Sequence, residues 1–136
     1  MNLFIDTEFN SFGGELMSIA LIADNGNQFY RELYLPANIH PWVAEHVVPK
    51  FSSTPTSVDQ IQRSLEAFLN QFDKVNIIAD WPDDLRHLCQ LLITGPGTRI
   101  SFPPMTMQIV HLDGESANPH HALFDAIGLK HEYNRQ

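Results

Sequence analysis

The sequence LMSIALIADNGNQFYRELYL, residues 16–35, predicts a β-hairpin that sets the start of the fold. Its first part, Leu16–Ala23, is almost wholly apolar, as is typical of a largely buried strand. The turn DNGN at residues 24–27 follows, and Asn-Gly tolerates the positive φ angles of a type I′ turn. Residues 28–35 are therefore expected to form the antiparallel partner strand.

The elements around this hairpin predict a mixed sheet covered by helices. Ser57 and Gln60 have the spacing of a capping box at the start of an amphipathic helix over residues 57–72. The other predicted elements are a strand at 3–5, a short helix at 42–48, a buried strand at Val75–Ala79, a helix at 83–92, a strand at 99–102 before a double proline, and a helix from Asn118-Pro119 to about residue 128. This order predicts an α/β fold in which three antiparallel strands are followed by parallel additions, within one domain spanning residues 1–136.

The composition is that of an ordinary globular domain, with 43% hydrophobic and 18% charged residues. The apolar runs are too short to span a membrane, and no basic region precedes a long apolar segment at the N-terminus, so we expect a cytoplasmic protein. The single cysteine, Cys89, lies among leucines and is expected to be a buried thiol. The net charge of −8 opposes indiscriminate nucleic-acid binding, unless carboxylates cluster around divalent cations.

Asp6 and Glu8 form the first candidate site. They follow the apolar residues 3–5, and residues two apart on a strand point to the same face. Two like charges side by side are unfavourable unless a cation lies between them, and oxygen-only ligands favour Mg²⁺ or Mn²⁺. The alternative is that the strand ends here and both side chains reach water.

The run DWPDD, residues 80–84, forms the second candidate site. It follows the buried strand Val75–Ala79, and the carboxyl end of a strand is the usual place for a site in α/β folds. Aspartate is also favoured at helix N-termini through capping and the helix dipole. A purely structural role for this run therefore stays open.

The run HHALFDA, residues 120–126, forms the third candidate site. A histidine can accept a proton from water, and a carboxylate one helical turn further on can hold a metal ion. Helical spacing favours His121, which is four residues before Asp125, whereas His120 would have to act from the first turn. Two exposed histidines at the start of a helix are the alternative.

Taken in order, three runs resemble the motifs of the DEDDh branch of the DnaQ-like, RNase H-like superfamily of 3′–5′ exonucleases. FIDTEF at residues 4–9 is similar to the first motif, DLRHL at 84–88 to the second, and HHALFDA at 120–126 to the third. The likeness spans residues 2 to about 128 and is nearest to compact mycobacterial-type exoribonuclease domains. It implies an RNase H-like mixed sheet and a metal-dependent phosphodiester hydrolase.

The resemblance also implies a role for each motif residue. Asp6 would bridge two Mg²⁺ or Mn²⁺ ions, Glu8 and Asp125 would complete one of the two metal sites, and Asp84 would hold the other ion through water. His120 would be the general base that deprotonates the attacking water.

Two of these assignments keep a neighbouring residue as an alternative. Asp83 stands where the family often has an aromatic residue, so the choice of Asp84 rests on its spacing from Leu88. His121 stays the alternative to His120 as the base.

The expected substrate is the 3′ end of a short single-stranded or 3′-overhang nucleic acid, either RNA or DNA. Thr7, Glu8 and Phe9 lie where the family contacts the last nucleotide, and an aromatic such as Phe9 or Phe12 could stack on its base. Core packing is the favoured role for Phe12. Two other functions stay open, a non-catalytic nucleotide- or nucleic-acid-binding module on the same fold and a metal-dependent phosphatase. A homodimer is equally open.

Overall fold

The computed structural model describes residues 1–112 and 116–136. Its elements in chain order are β1 (Asn2–Phe9), β2 (Leu16–Ala23), β3 (Gln28–Glu32), α1 (Pro41–His46), a 3₁₀ turn (Val48–Lys50), α2 (Val58–Leu69), β4 (Val75–Ala79), α3 (Pro82–Leu92), β5 (Ile93–Gly95), β6 (Thr98–Arg99), β7 (Met105–Ile109) and α4 (Ala122–Asn134). The longest of these helices has 13 residues, whereas a bilayer requires roughly 20. No helix in the described ranges therefore qualifies as a membrane span.

Five strands form one mixed sheet in the order β3-β2-β1-β4-β7. The strand β2 is antiparallel to both β1 and β3, as the hairpin sequence predicts. The strand β4 is parallel to β1, and β7 is parallel to β4. The prediction of a mixed sheet with antiparallel and parallel strands, flanked by helices, is therefore confirmed. The strand β3 ends at Glu32, three residues before the predicted end.

Helices cover both faces of the sheet because successive strand residues point in opposite directions. Leu3 and Ile5 of β1 are fully buried in the core that also contains residues of α2 and α3. Phe4 is buried on the opposite face, together with Ala122 and Ala126 of α4. The helices α3 and α4 therefore lie on opposite faces of the sheet. The first turns of both helices lie near the carboxyl end of β1 and bring their side chains together there.

The start of α2 confirms the predicted capping box. The Ser57 hydroxyl accepts a hydrogen bond from the main-chain N–H of Gln60 at 3.3 Å. The Gln60 side-chain oxygen accepts one in return from the N–H of Ser57 at 3.1 Å. Each contact satisfies a donor that the helical ladder leaves free, so the two residues fix where α2 begins.

The fifth strand of the sheet lies after the double proline, so the strand predicted at residues 99–102 was wrong. Within that segment only Arg99 is in a strand, and it belongs to the small β5–β6 hairpin outside the main sheet. The sheet strand is β7, which is parallel to β4 along its whole length. Pro104 does not prevent this pairing, because its carbonyl accepts a hydrogen bond from the N–H of Val75 at 3.0 Å. Proline lacks only the main-chain N–H donor, so its carbonyl can still accept a hydrogen bond.

The last helix begins three residues later than predicted, with His121 instead of Asn118 as its N-cap. The carbonyl of Asn118 accepts a hydrogen bond from the N–H of His121 at 3.2 Å and closes a turn, so Asn118 is not the N-cap. His120 has a left-handed φ of 67°, which an α-helix excludes. The helix ends at Asn134 instead of about residue 128, and near that end Tyr133 packs edge-on against Phe4 with ring centroids 5.3 Å apart.

Cys89 is exposed, so the prediction of a buried thiol was wrong. Helix α3 buries Leu88, Leu91 and Leu92, and Cys89 points away from this side of the helix. Its sulfur lies 3.8 Å from the sulfur of Met107 on β7. The surrounding leucines in the sequence therefore belong to a different helical face.

Candidate metal centre

Five carboxylates meet at the carboxyl end of β1. One oxygen from each of Asp6, Glu8 and Asp125 lies within 4.8 Å of the others. A second group, formed by Asp6, Asp80 and Asp84, meets the same limit. The two groups share Asp6, so they form one continuous acidic centre, and each group could hold a cation.

The sheet and both helical layers bring these side chains together. Asp6 and Glu8 are two apart on β1 and share one face. Asp80 follows β4 directly, and Asp84 lies in the first turn of α3. Asp125 lies in the first turn of α4, on the other side of the sheet. Because β1 and β4 are parallel, their carboxyl ends lie at the same edge, which is the usual place for a site in such sheets.

Thr7 fixes the orientation of Asp84. Its main-chain N–H and its hydroxyl both donate to Asp84 Oδ1, at 3.2 and 2.6 Å. Thr7 is only 4% exposed. The hydroxyl group of Thr7, a residue expected to contact the last nucleotide, thus donates its hydrogen bond to Asp84. The other oxygen of Asp84, Oδ2, is left for whatever occupies the acidic centre.

Two oxygens of the acidic centre are buried without a donor. Asp6 Oδ2 and Asp84 Oδ2 accept no hydrogen bond from any described residue. A buried, unsatisfied carboxylate oxygen is costly, and the cost rises when other carboxylates surround it. The centre therefore requires either protons or cations to be stable.

The pKa values at this centre have the direction expected for crowded acids. Burial, followed by the charges of Asp84 and Glu8, raises the pKa of Asp6 well above its ordinary value. Burial and the charge of Asp125 raise the pKa of Glu8 to about 8. Burial raises the pKa of Asp84 to about 7, although the hydrogen bonds from Thr7 oppose the shift. Divalent cations would relieve both causes, and oxygen-only ligands suit Mg²⁺ or Mn²⁺.

The neighbouring Asp83 has a different environment from Asp84. Its carboxylate accepts hydrogen bonds from the indole N–H of Trp81 at 3.0 Å and from Arg86 Nε at 3.1 Å. These contacts lower the pKa of Asp83. Asp83 belongs to neither group of three carboxylates, whereas Asp84 belongs to one. Of the two neighbouring acids, only Asp84 thus points into the acidic centre.

His120 and His121 point in different directions. The main-chain N–H of His120 donates to Asp125 Oδ2 at 3.2 Å, and its side chain lines a cavity together with Glu8. His121 is 4% exposed, and its ring stacks on Tyr30 with centroids 4.6 Å apart. Burial lowers the pKa of His121. His120 is therefore the histidine that adjoins the acidic centre.

The cavity beside the acidic centre has a volume of about 440 Å³ and a largely aromatic lining. Phe9, Phe12, Trp42 and Trp81 contribute to its walls. Phe12 is 98% exposed, so the expectation that it packs in the core was wrong. It lies within a turn, between Ser11 and Gly13, which both have positive φ angles, and this turn holds it away from the sheet.

Sequence reasoning placed Asp6, Glu8, Asp84 and Asp125 among the candidates but left Asp80 out of the metal ligands. Asp80 had the same positional signal as Asp84, since it directly follows a buried strand. Trp42 and Trp81 were missed as well, because no local pattern connects an exposed aromatic in α1 with one before α3.

Comparison with protein-family models and with curated proteins found no match for this chain. The geometry of the acidic centre and of the cavity beside it is consequently the main indication of function.

Proposed function

We propose that the protein is a metal-dependent 3′–5′ exonuclease of the DEDDh type, which releases nucleoside 5′-monophosphates from RNA or DNA. The observation that carries this proposal is the presence of two clusters of three acidic residues that share Asp6. His120 lines the cavity beside them. The strand order, in which three antiparallel strands precede two parallel ones, supports an RNase H-like fold.

The acidic centre suits two divalent cations because two of its buried oxygens, Asp6 Oδ2 and Asp84 Oδ2, have no hydrogen-bond partner among the described residues. Asp6 would contact both ions, Glu8 and Asp125 would hold one of them, and Asp84 would hold the other with the help of Asp80. When bound, such a pair of ions promotes formation of the water-derived nucleophile and stabilises the negative charge on the leaving oxygen. The ions would also provide positive charge in a chain whose net charge is −8.

His120 is the proton acceptor in this proposal. It lines the cavity with Glu8, and its main chain is bonded to Asp125, so its position is fixed relative to two of the carboxylates. Histidine is well suited to accept a proton near neutral pH. His121 is buried against Tyr30 and has no comparable access to the cavity.

The aromatic cavity would hold the 3′-terminal nucleotide. Its volume of about 440 Å³ lies within the range of small-molecule sites, about 300–1,000 Å³. Phe9 and Phe12 could each stack on a base, and such contacts contribute about 1–3 kcal/mol per base without reading its sequence. The acidic chain offers little to attract a long phosphate backbone, which favours a short single-stranded or 3′-overhang substrate.

The direct test uses one oligonucleotide labelled at its 3′ end or at its 5′ end, with Mn²⁺ or with EDTA. An exonuclease of this type releases labelled mononucleotide at once from the 3′-labelled strand and gives a ladder of shortened 5′-labelled products, and EDTA stops both. Binding without cleavage would point to a nucleic-acid-binding module instead. Release of inorganic phosphate alone would point to a phosphatase. RNA and DNA strands of the same sequence, tested in parallel, identify the preferred sugar.

The assignment of His120 as the general base is tested by replacing His120 and His121 separately. His120→Ala is expected to lower the cleavage rate about 10²–10⁴-fold, the usual contribution of a general base. Mn²⁺ affinity, measured by titration, should change little because no imidazole is among the proposed ligands. If His121→Ala causes a loss of this size and His120→Ala does not, the assignment of the base is wrong.

A further inference from the structure

Glu32 is a buried acid outside the acidic centre, and it is surrounded by donors. It is 2% exposed. Its two carboxylate oxygens accept hydrogen bonds from the main-chain N–H groups of Ser52 at 2.8 Å and Ser53 at 3.0 Å. The hydroxyl of Tyr30 donates to the same carboxylate. Glu32 therefore ties the loop that contains Ser52 and Ser53 to the edge strand β3.

His121 connects this loop to the start of α4. Its Nε2 atom lies 3.0 Å from the hydroxyl oxygen of Ser52. Its ring is held between Tyr30, which it stacks on at 4.6 Å, and Phe124, which meets it edge-on at 5.0 Å. Glu32, Ser52, Tyr30 and His121 thus form one contact network, here called the Glu32 network, across three separate segments of the chain.

The Glu32 network lies directly beside a strained residue. His120 has a φ of 67°, a conformation that few residues other than glycine adopt. Such strain persists only where the surroundings impose it, and it is concentrated at functional sites. On one side the N–H of His120 is held by Asp125 at 3.2 Å. On the other side the next residue, His121, is held by Ser52 and Tyr30.

We infer that His121, fixed by the Glu32 network, is a positioning residue that holds His120 in its left-handed conformation at the wall of the cavity that Glu8 also lines. The inference rests on the proposed function, in which His120 accepts the proton. The inference assigns a separate role to each of the two adjacent histidines. One side chain adjoins the acidic centre, and the other anchors the main chain that carries it.

Stability alone gives a weaker account of this arrangement. A buried carboxylate and a buried imidazole are expensive to desolvate, and apolar residues of similar volume usually stabilise a core equally well. A network of directional hydrogen bonds has the additional property that it fixes one geometry. A misplacement of about 1 Å at a catalytic group can lower a rate about 100-fold, so the position of His120 has a large effect on activity.

The test compares Ser52→Ala with Ser53→Ala. Both serines donate their main-chain N–H to Glu32, and alanine keeps that donor, but only the Ser52 hydroxyl contacts His121. Ser52→Ala is expected to lower kcat about tenfold or more with KM within twofold of the wild type. Ser53→Ala should match the wild type. Equal activity of Ser52→Ala and Ser53→Ala would overturn the inference.

A double variant separates positioning from general destabilisation. If Ser52 acts through His120, adding Ser52→Ala to His120→Ala should cause no further loss of rate. A further tenfold loss in that background would mean that the serine acts elsewhere, and the inference would fail.

A readout that needs no activity distinguishes failure of this inference from failure of the proposed function. The rings of His120 and Trp42 meet edge-on with centroids 5.2 Å apart, so their protons should give a nuclear Overhauser effect in wild type. Ser52→Ala should weaken that effect and Ser53→Ala should preserve it, with thermal unfolding showing that both variants fold. If the effect is equally strong in both variants, the Glu32 network does not position His120. If the wild type shows no cleavage, only the proposed function is lost.

Discussion

Glu32 and Asp84 are equally buried, each 2% exposed, yet their surroundings differ. The Glu32 carboxylate accepts hydrogen bonds from Tyr30, Ser52 and Ser53. Asp84 has a donor only at Oδ1, and its Oδ2 has none among the described residues while it lies next to Asp6 and Asp80. The difference teaches that burial alone does not mark a metal ligand. An acid that faces donors holds the fold together, and an acid that faces other acids requires a proton or a cation.

The largest effect is expected from Asp6→Ala, because Asp6 belongs to both clusters of three acidic residues. We expect cleavage to fall below detection and Mn²⁺ binding, measured by titration calorimetry, to be lost from both sites. The metal-free variant should unfold at the same temperature as wild type or a higher one, since the substitution removes repulsion. Full activity in a folded Asp6→Ala protein would refute the metal assignment.

The pH dependence of stability should be large in the metal-free protein. The folded-state pKa values of Glu8 and Asp84 are raised, to about 8 and about 7, so the folded state binds more protons than the unfolded state above about pH 4. The contribution of these two acids to the free energy of unfolding should therefore be greatest below that pH. It should fall by several kcal/mol as the pH rises from about 4 through 8, since one pKa unit corresponds to about 1.4 kcal/mol and each of the two pKa values is raised by about 3.

Denaturant unfolding at several pH values in EDTA measures this trend. Added Mn²⁺ at pH 8 should restore the loss, because the ion binds only the folded state. A free energy of unfolding that stays constant from pH 5 to pH 8 would contradict the predicted repulsion.

Replacing Glu32 should destabilise the protein, whereas replacing Asp84 should not. Glu32→Ala leaves three donors without their acceptor and should destabilise the protein by about 2–3 kcal/mol. Asp84→Asn should leave the metal-free protein as stable as wild type or more stable, because it removes a charge from a crowded centre. Urea unfolding in EDTA at pH 8 compares the two. If Asp84→Asn is as destabilising as Glu32→Ala, the contrast between the two acids is not real.

The smallest effect is expected at Asp80, the most exposed of the five acids. Asp80→Asn should weaken Mn²⁺ binding at one of two sites about tenfold, or about 1.4 kcal/mol. Asp83→Asn is the matched control, because Asp83 is three residues away and engages Trp81 and Arg86 instead. Equal affinities in the two variants would remove Asp80 from the proposed ligands.

Local patterns were sufficient for the parts of the fold that depend on neighbours in sequence. The Asn-Gly hairpin and the Ser57–Gln60 capping box were predicted because one turn or one helical start determines them. The strand Val75–Ala79 was predicted with its correct bounds because it is a short apolar run between polar residues. The juxtaposition of Asp6 and Glu8 followed from the period of a strand.

The remaining features depend on contacts between distant segments. The strand β7 has a mostly exposed, weakly apolar sequence after two prolines, and only its pairing with β4 reveals it. Asn118-Pro119 has the composition of a helix start. In the structure, however, the carbonyl of Asn118 accepts a hydrogen bond from the N–H of His121 and closes a turn before the helix. The side chain of Asp83 differs from that of Asp84 because it contacts Trp81 and Arg86. The spacing of residues in the sequence does not reveal these contacts.

The acidic centre takes Asp84 from α3 on one face of the sheet and Asp125 from α4 on the other. Ions bound there would join two helical layers that otherwise touch the sheet separately. Amide hydrogen exchange in the first turns of α3 and α4 would then slow together when cations are added, although the two turns belong to opposite sides of the molecule.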